Sequence, residues 1–288
     1  MPGGCLKSSA CNMIWGKVVT MTKKERRSVP ENSDVASRDG VERLSRVFDV
    51  LELLGGHFEG LTLTEISKEL KLPTSSVHNL LQRLVAIEAL TVTPDLLYLV
   101  GYRAVRLGLR FTDGLEVRNI AGRYLTGLSA ETGEDVYLAV GLGRKVSYID
   151  RSQGTSPVTV SMRLGQPLYL HSTAVGKLYS AYVESFRAEL LCQTLPRLTV
   201  HTLVDRDDLE RECAKIRLQE YAISREESHL GIVGVAVPVC DASGSLVAAL
   251  HSPLLQNNLN EDRLAFILAA SQAAAANIER DLGRSRHN

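Results

Sequence analysis

Seven polar side chains, Thr74, Ser75, Ser76, His78, Asn79, Gln82 and Arg83, crowd an eleven-residue stretch whose apolar members are Val77, Leu80, Leu81 and Leu84. The hydroxyls stand first, where a helix would also present free amide groups, and this combination anchors phosphates. Asn, Gln, His and Arg follow, and these side chains can meet base edges in a major groove wide enough to admit a helix. A polar helix face is by itself most often a solvated face, so the elements around it have to decide whether it reads DNA.

Three elements must hold that stretch. Val41, Leu44, Val47, Phe48, Leu51 and Leu54 recur at helical spacing, which predicts a first helix with one buried stripe, ended by Gly55-Gly56. Thr62 and Glu65 stand three apart ahead of Ile66 and Leu70, the spacing of a capping box at the start of a short second helix. Thr62 joins the DNA-facing set on that placement. After the turn at Lys71-Leu72, Pro73 opens the third helix, with Val77, Leu80, Leu81, Leu84 and Ile87 as its inner side. Leu90 to Thr93 and Leu96 to Leu99 flank Pro94-Asp95 and predict a two-stranded wing. The ordered combination is a winged helix-turn-helix, here assigned to residues 39–104, with double-stranded operator DNA as its partner.

Charge does not announce that partner. Lys plus Arg total 33 against 33 Asp plus Glu, so any attraction to nucleic acid is local. Glu42, Glu52, Glu59, Glu65, Glu69 and Glu88 make the small domain itself roughly neutral. One copy should therefore bind DNA weakly, and pairing into a homodimer is expected to be needed. Residues 1–38 lack apolar periodicity, carry Lys23, Lys24, Arg26 and Arg27, and are expected to be a disordered tail. Translation beginning at Met21 is a second expectation there.

The five cysteines are scattered, with no metal-ligand spacing, and no run is long and apolar enough for a membrane span or signal peptide. A reduced cytoplasmic protein without cofactor is expected. Enzyme motifs are missing too. There is no G-x-S-x-G, Gly176-Lys177 is followed by Leu178 without the upstream glycine of a phosphate loop, and Gly141-Leu142-Gly143 lacks the third glycine of a dinucleotide site. A metabolite-binding protein that uses the winged helix for oligomerisation or protein docking is the rival reading.

Leu115 to Thr132 predicts a helix linking the two halves, with the linker assigned to residues 105–122. Then the period changes from helix to strand. Val136 to Val140 and Val146 to Ile149 predict a hairpin, Val158 to Met162 a further strand, and 231–239 and 246–251 two more around Asp241 to Gly244. Helices are predicted over 174–183, over 205–219 capped by Asp205, and from Glu261, capped by Asn260, to Asp281. Helices packed on a mainly antiparallel sheet make an α+β domain over residues 123–284. Thr173, Ala174 and Val175 fall at a helix start, where free amides favour an anion such as a carboxylate.

The order Leu63-Thr64-Glu65-Ile66-Ser67, Leu72-Pro73-Thr74-Ser75-Ser76-Val77-His78-Asn79-Leu80-Leu81, Tyr98 to Gly101 and Leu107-Gly108 resembles the IclR family of transcription regulators. The likeness continues through Leu164-Gly165-Gln166-Pro167-Leu168-Tyr169-Leu170-His171-Ser172-Thr173-Ala174-Val175-Gly176-Lys177, Tyr221-Ala222 to Glu226-Glu227, Gly231, Ala236, Pro238 and Asp241 to Gly244. It implies a winged helix, a linker helix and a GAF-like effector-binding domain, acting as repressor or activator in dimers or dimers of dimers. The effector implied is a small molecule of the carboxylate or aromatic kind. Carried over residue by residue, the resemblance adds Ser224, Gly234, His251 and Pro253 to the effector site, with Met162 and Leu164 as wall. The chain departs from the family at Asn79, where Arg is common; Gly234 stands in place of a cysteine, Ser224 in place of an acidic residue, and His251 and Pro253 in place of serines. Those departures leave open an effector different from the small organic acids bound by some members.

Overall fold

The computed structural model describes residues 38–113 and 115–285. The readings made for residues 1–37, including the start at Met21, lie outside the described residues, whereas Arg38 already belongs to the first helix. The described residues form two compact units, the first ending at Asp113 and the second starting at Leu115.

In the first unit, α1 (Arg38–Gly55), α2 (Leu63–Glu69) and α3 (Thr74–Ala86) precede a hairpin of β1 (Leu90–Val92) and β2 (Tyr98–Val100), and α4 (Tyr102–Asp113) closes the unit. Its core is Val50, Leu54, Ile66, Val77, Leu81, Leu84, Ala89, Leu90 and Tyr98. The capping box at α2 is formed: the Thr62 amide and hydroxyl both donate to Glu65 Oε2 at 2.8 Å, and the Glu65 amide donates back to Thr62 Oγ1 at 3.3 Å. The turn into α3 uses Lys71 at φ 53°, and Ser67 Oγ donates to the Leu72 carbonyl at 2.7 Å, tying α2 to the start of α3.

The expected buried stripe of α1 is corrected. Only Val50 and Leu54 are sealed; Val41, Leu44 and Phe48 are 58%, 67% and 67% exposed. The domain is too small for its core to cover five turns of helix, so the periodicity is amphipathic without the outer half being covered by this chain. The linker over 105–122 is also corrected: it is not one helix, because α4 ends at Asp113 and Leu115, in extended conformation, caps a new helix, α5 (Glu116–Thr132).

The second unit is built on a five-stranded sheet in the order β4-β3-β7-β6-β5, every pairing antiparallel, as α+β architecture requires. The strands are β3 (Val136–Leu142), β4 (Lys145–Ser152), β5 (Ala222–Arg225), β6 (Ile232–Cys240) and β7 (Leu246–Leu255). Strand alternation sends Val136, Leu138, Val140, Val237 and Leu250 to one face, where α5 and α9 (Glu261–Ser285) cover them. Tyr137, Ala139, Tyr148, Ala222, Ala236 and Ala249 face the other way, under α6 (Ala174–Tyr182), α7 (Glu184–Cys192) and α8 (Arg206–Gln219). The strand predicted at Val158–Met162 is absent: this segment is irregular, Val158 is 63% exposed, and its anchor is the Met162 amide donating to the Tyr137 hydroxyl at 2.7 Å. Its apolar residues border the sheet without pairing to it.

Candidate DNA interface and effector site

The third helix is two-faced. Val77 and Leu81 are fully buried and Leu84 nearly so, whereas Thr74, Ser75, Ser76, His78, Asn79, Gln82 and Arg83 are all exposed. Pro73 caps it without a side-chain hydrogen bond, and the first bonds into the helix run from the Ser76 and Val77 amides to the Pro73 carbonyl. The Thr74 and Ser75 amides are thereby left open toward an anion. His78, Asn79, Gln82 and Arg83 make no side-chain hydrogen bond to other described residues, so their donors and acceptors are available. Thr74 Oγ1 lies 3.2 Å from Ser67 Oγ, and the Thr62 hydroxyl is engaged in its cap, so those two are tied to local structure while the other six are not.

In the second unit the register gathers most of the remaining candidates. Ser224 pairs with Gly234, and Gly234 with Pro253; one row along, Ala222, Ala236, His251 and Tyr137 stand side by side. All lie on the face under α6. A β-carbon on Gly234 would sit 2.8 Å from His251 Nε2 and 3.4 Å from the Ala174 β-carbon, so the strand, the imidazole and the first residue of α6 meet there. His251 Nδ1 is 2.9 Å from the Tyr148 hydroxyl, and the two rings are stacked with centroids 5.3 Å apart. Burial pushes the His251 imidazole down to about 3, so it is neutral.

Thr173 caps α6: its hydroxyl accepts from the Gly176 amide at 2.9 Å and donates to the Tyr169 carbonyl at 2.7 Å. The Ala174 and Val175 amides have no partner among the described residues. Ser224 Oγ donates to the Ser172 carbonyl at 2.7 Å, as does Ser228, which fixes the loop leading into α6. Met162 packs at the edge of the same cluster. Leu164 does not join it and is 48% exposed. A cavity of about 220 Å³ in this unit lies elsewhere, between Val158, Leu254, Leu259, Ile267, Arg263 and Glu134, and none of the predicted effector residues lines it.

Sequence reasoning missed Tyr148 and Tyr137, which only the strand register sets beside His251. It also missed what Gly176-Lys177 does. A β-carbon at Gly176 would fall 2.2 Å from the Tyr169 carbonyl, so this glycine permits close packing of α6. Lys177, 1% exposed, donates to Glu227 at 2.7 Å, to the Ile223 carbonyl at 2.8 Å and to Glu212 at 3.2 Å. Burial raises the Glu227 carboxyl above its ordinary value, although Lys177 opposes this.

The model of the IclR helix-turn-helix domain matches residues 43–94, and that of the bacterial transcriptional regulator IclR C-terminal region matches residues 109–280. The chain belongs to the IclR family. It is a DNA-binding transcription regulator with an N-terminal helix-turn-helix and a C-terminal effector-binding domain. Among relatives, the transcriptional regulator XynR of Escherichia coli is 29% identical over 246 residues, covering 84% of this chain and 98% of that one. The transcriptional repressor AllR of the same organism is 27% identical over 270 residues, covering 93% and 100%. An IclR homolog from Microbacterium hydrocarbonoxydans, solved in complex with 4-hydroxybenzoate, superposes with a TM-score of 0.72 at 26% identity, covering 83% of this chain and 98% of that one. Among the described residues of this IclR-family chain, no helix is long and apolar enough to cross a membrane.

Proposed function

We propose that this regulator reads its operator with the exposed face of α3. The observation that carries this is the division of α3 into a sealed apolar side and a polar side with unengaged side chains. Thr74, Ser75 and Ser76, with the first amides of the helix, hold phosphates; Asn79 and Gln82 meet base edges; His78 and Arg83 complete the contact, and Thr62 approaches the backbone from the start of α2.

Two copies act together. Residues 38–113 carry nine Lys or Arg against ten Asp or Glu, so a single unit has no net attraction to DNA. Val41, Leu44 and Phe48 on α1, with Tyr102 and Val105 on α4, expose apolar surface of 49% to 71% each, and a second copy of this unit covers it. Paired α3 helices then enter successive major grooves of a pseudopalindromic site. An effector bound at Gly234, His251, Pro253, Ser224 and the start of α6, with Met162 at the rim, shifts operator affinity by favouring one arrangement of the dimer, and DNA shifts effector affinity by the same factor.

Fluorescence anisotropy of the purified protein on its own upstream DNA, against a shuffled duplex at fixed salt, tests the reading. Retention of the upstream fragment at concentrations that leave the shuffled one free is expected. Equal affinity for both would remove sequence reading from this protein.

A further inference from the structure

On the sheet face under α6, one buried imidazole keeps a ring nitrogen without a partner among the described residues. His251 is 4% exposed and Gly234, its diagonal neighbour on the adjacent strand, has no side chain. The two are coupled by volume: at 2.8 Å from Nε2, any larger residue at 234 would displace the ring. Imidazole and glycine exchange the space that two medium side chains would fill.

The proton on the ring follows from its partners. His251 Nδ1 meets only the Tyr148 hydroxyl, at 2.9 Å, and that hydroxyl has no other partner among the described residues. If Nδ1 carried the hydrogen, the phenolic proton would be left without an acceptor in a buried position, which is strongly disfavoured. If the phenol donates, the ring hydrogen moves to Nε2. That atom has no partner among the described residues and is not fully occluded. It lies beside Gly234 and the first residue of α6, whose Ala174 and Val175 amides are also open.

We propose that Tyr148 is a positioning residue that holds His251 as its Nε2–H tautomer, and that this N–H joins the Ala174 and Val175 amides in an all-donor cradle for a carboxylate. The proposal rests on the reading of this face as the effector site and specifies its chemistry. The two buried carboxylates of this unit are engaged, Asp135 with Arg151 at 2.6 Å and Glu227 through Oε1 with Lys177 at 2.7 Å, and the Ser224 and Ser228 hydroxyls donate to the Ser172 carbonyl. The open donors gathered here favour a head group that accepts hydrogen bonds and carries negative charge.

The test uses the full chain labelled with nitrogen-15 at histidine and at backbone amides, with benzoate and acetate as carboxylate probes and benzylamine as the contrasting one. Long-range proton–nitrogen spectra should show His251 protonated at Nε2 and bare at Nδ1, and benzoate should move Nε2 together with the Ala174 and Val175 amides. Tyr148→Phe should mix the tautomers and weaken benzoate binding by about twofold or more, since only the Nε2–H fraction is competent, with the backbone-amide spectrum otherwise native. Gly234→Ala should expel the ring, and Gly234→Ala with His251→Ser should restore folding without restoring the Nε2 contact. A hydrogen found on Nδ1 in the native chain, or benzoate binding indifferent to Tyr148→Phe while the α6 amides still respond, overturns the role of the pair and leaves the effector site standing. Carboxylates that bind without moving any residue of this face overturn the effector-site reading itself.

Discussion

Lowering the pH should destabilise the effector unit through His251 in particular. In the unfolded chain the imidazole titrates near about 6.5, whereas burial holds the folded ring down to about 3. Between those values the unfolded state binds a proton that the folded state refuses. The stability contributed by the neutral ring is therefore complete above the unfolded value and is lost as pH falls toward the folded one. At about pH 5 the unfolded state gains about 2 kcal/mol relative to neutrality. His171, also depressed by burial, acts in the same direction, and Glu227, raised by burial, acts in the opposite one. Comparison with His251→Gln cancels both. Seven of the nine tyrosines lie between Leu115 and Ser285, so near-ultraviolet circular dichroism during urea unfolding reports mainly on this unit. Native protein should lose about 2 kcal/mol more than His251→Gln between about pH 7.5 and about pH 5. Equal losses would show that the ring takes its proton in the folded state and that burial does not hold it neutral.

Phe48→Glu places a charge on the outer half of α1, where Phe48 is 67% exposed; sedimentation should show monomers that still melt normally, with operator affinity down by about tenfold or more from lost bivalency, and unchanged dimers would refute the pairing surface. Lys177→Met strands Glu227 and Glu212 and should cost about 3–5 kcal/mol in urea unfolding; adding Glu227→Gln should recover much of it, and no recovery would mean that Lys177 acts through packing. Thr62→Ala breaks the capping box and should cost about 1 kcal/mol in the first unit, read from amide exchange in α2; an unaltered exchange rate would assign the cap no energetic role.

The winged helix was legible because local rules carry it. Thr62 with Glu65, Pro73 before α3, and the Pro94-Asp95 turn act over a few residues, and the polar side of α3 follows from period alone. Periodicity could not say what covers α1, since Phe48 and Val50 are equally apolar and only the size of the core separates them. Val158 to Met162 has strand composition, but pairing is decided by neighbours, and the segment is tied to the Tyr137 hydroxyl instead. α7 was overlooked because its buried members, Phe186 and Leu190, are too few to set a period. The meeting of Tyr148, Gly234 and His251 depends on register across β4, β3, β7 and β6, a long-range property that spacing along the chain does not encode.

Entry of α3 into the major groove can be read by selecting bound sequences from random duplex with native protein and with Asn79→Ala. The native protein should select two inverted half-sites with centres about one helical turn of DNA, or a multiple of it, apart, and Asn79→Ala should keep that spacing while losing preference at one base pair in each half. Identical motifs from both proteins, or no motif from either, would contradict it.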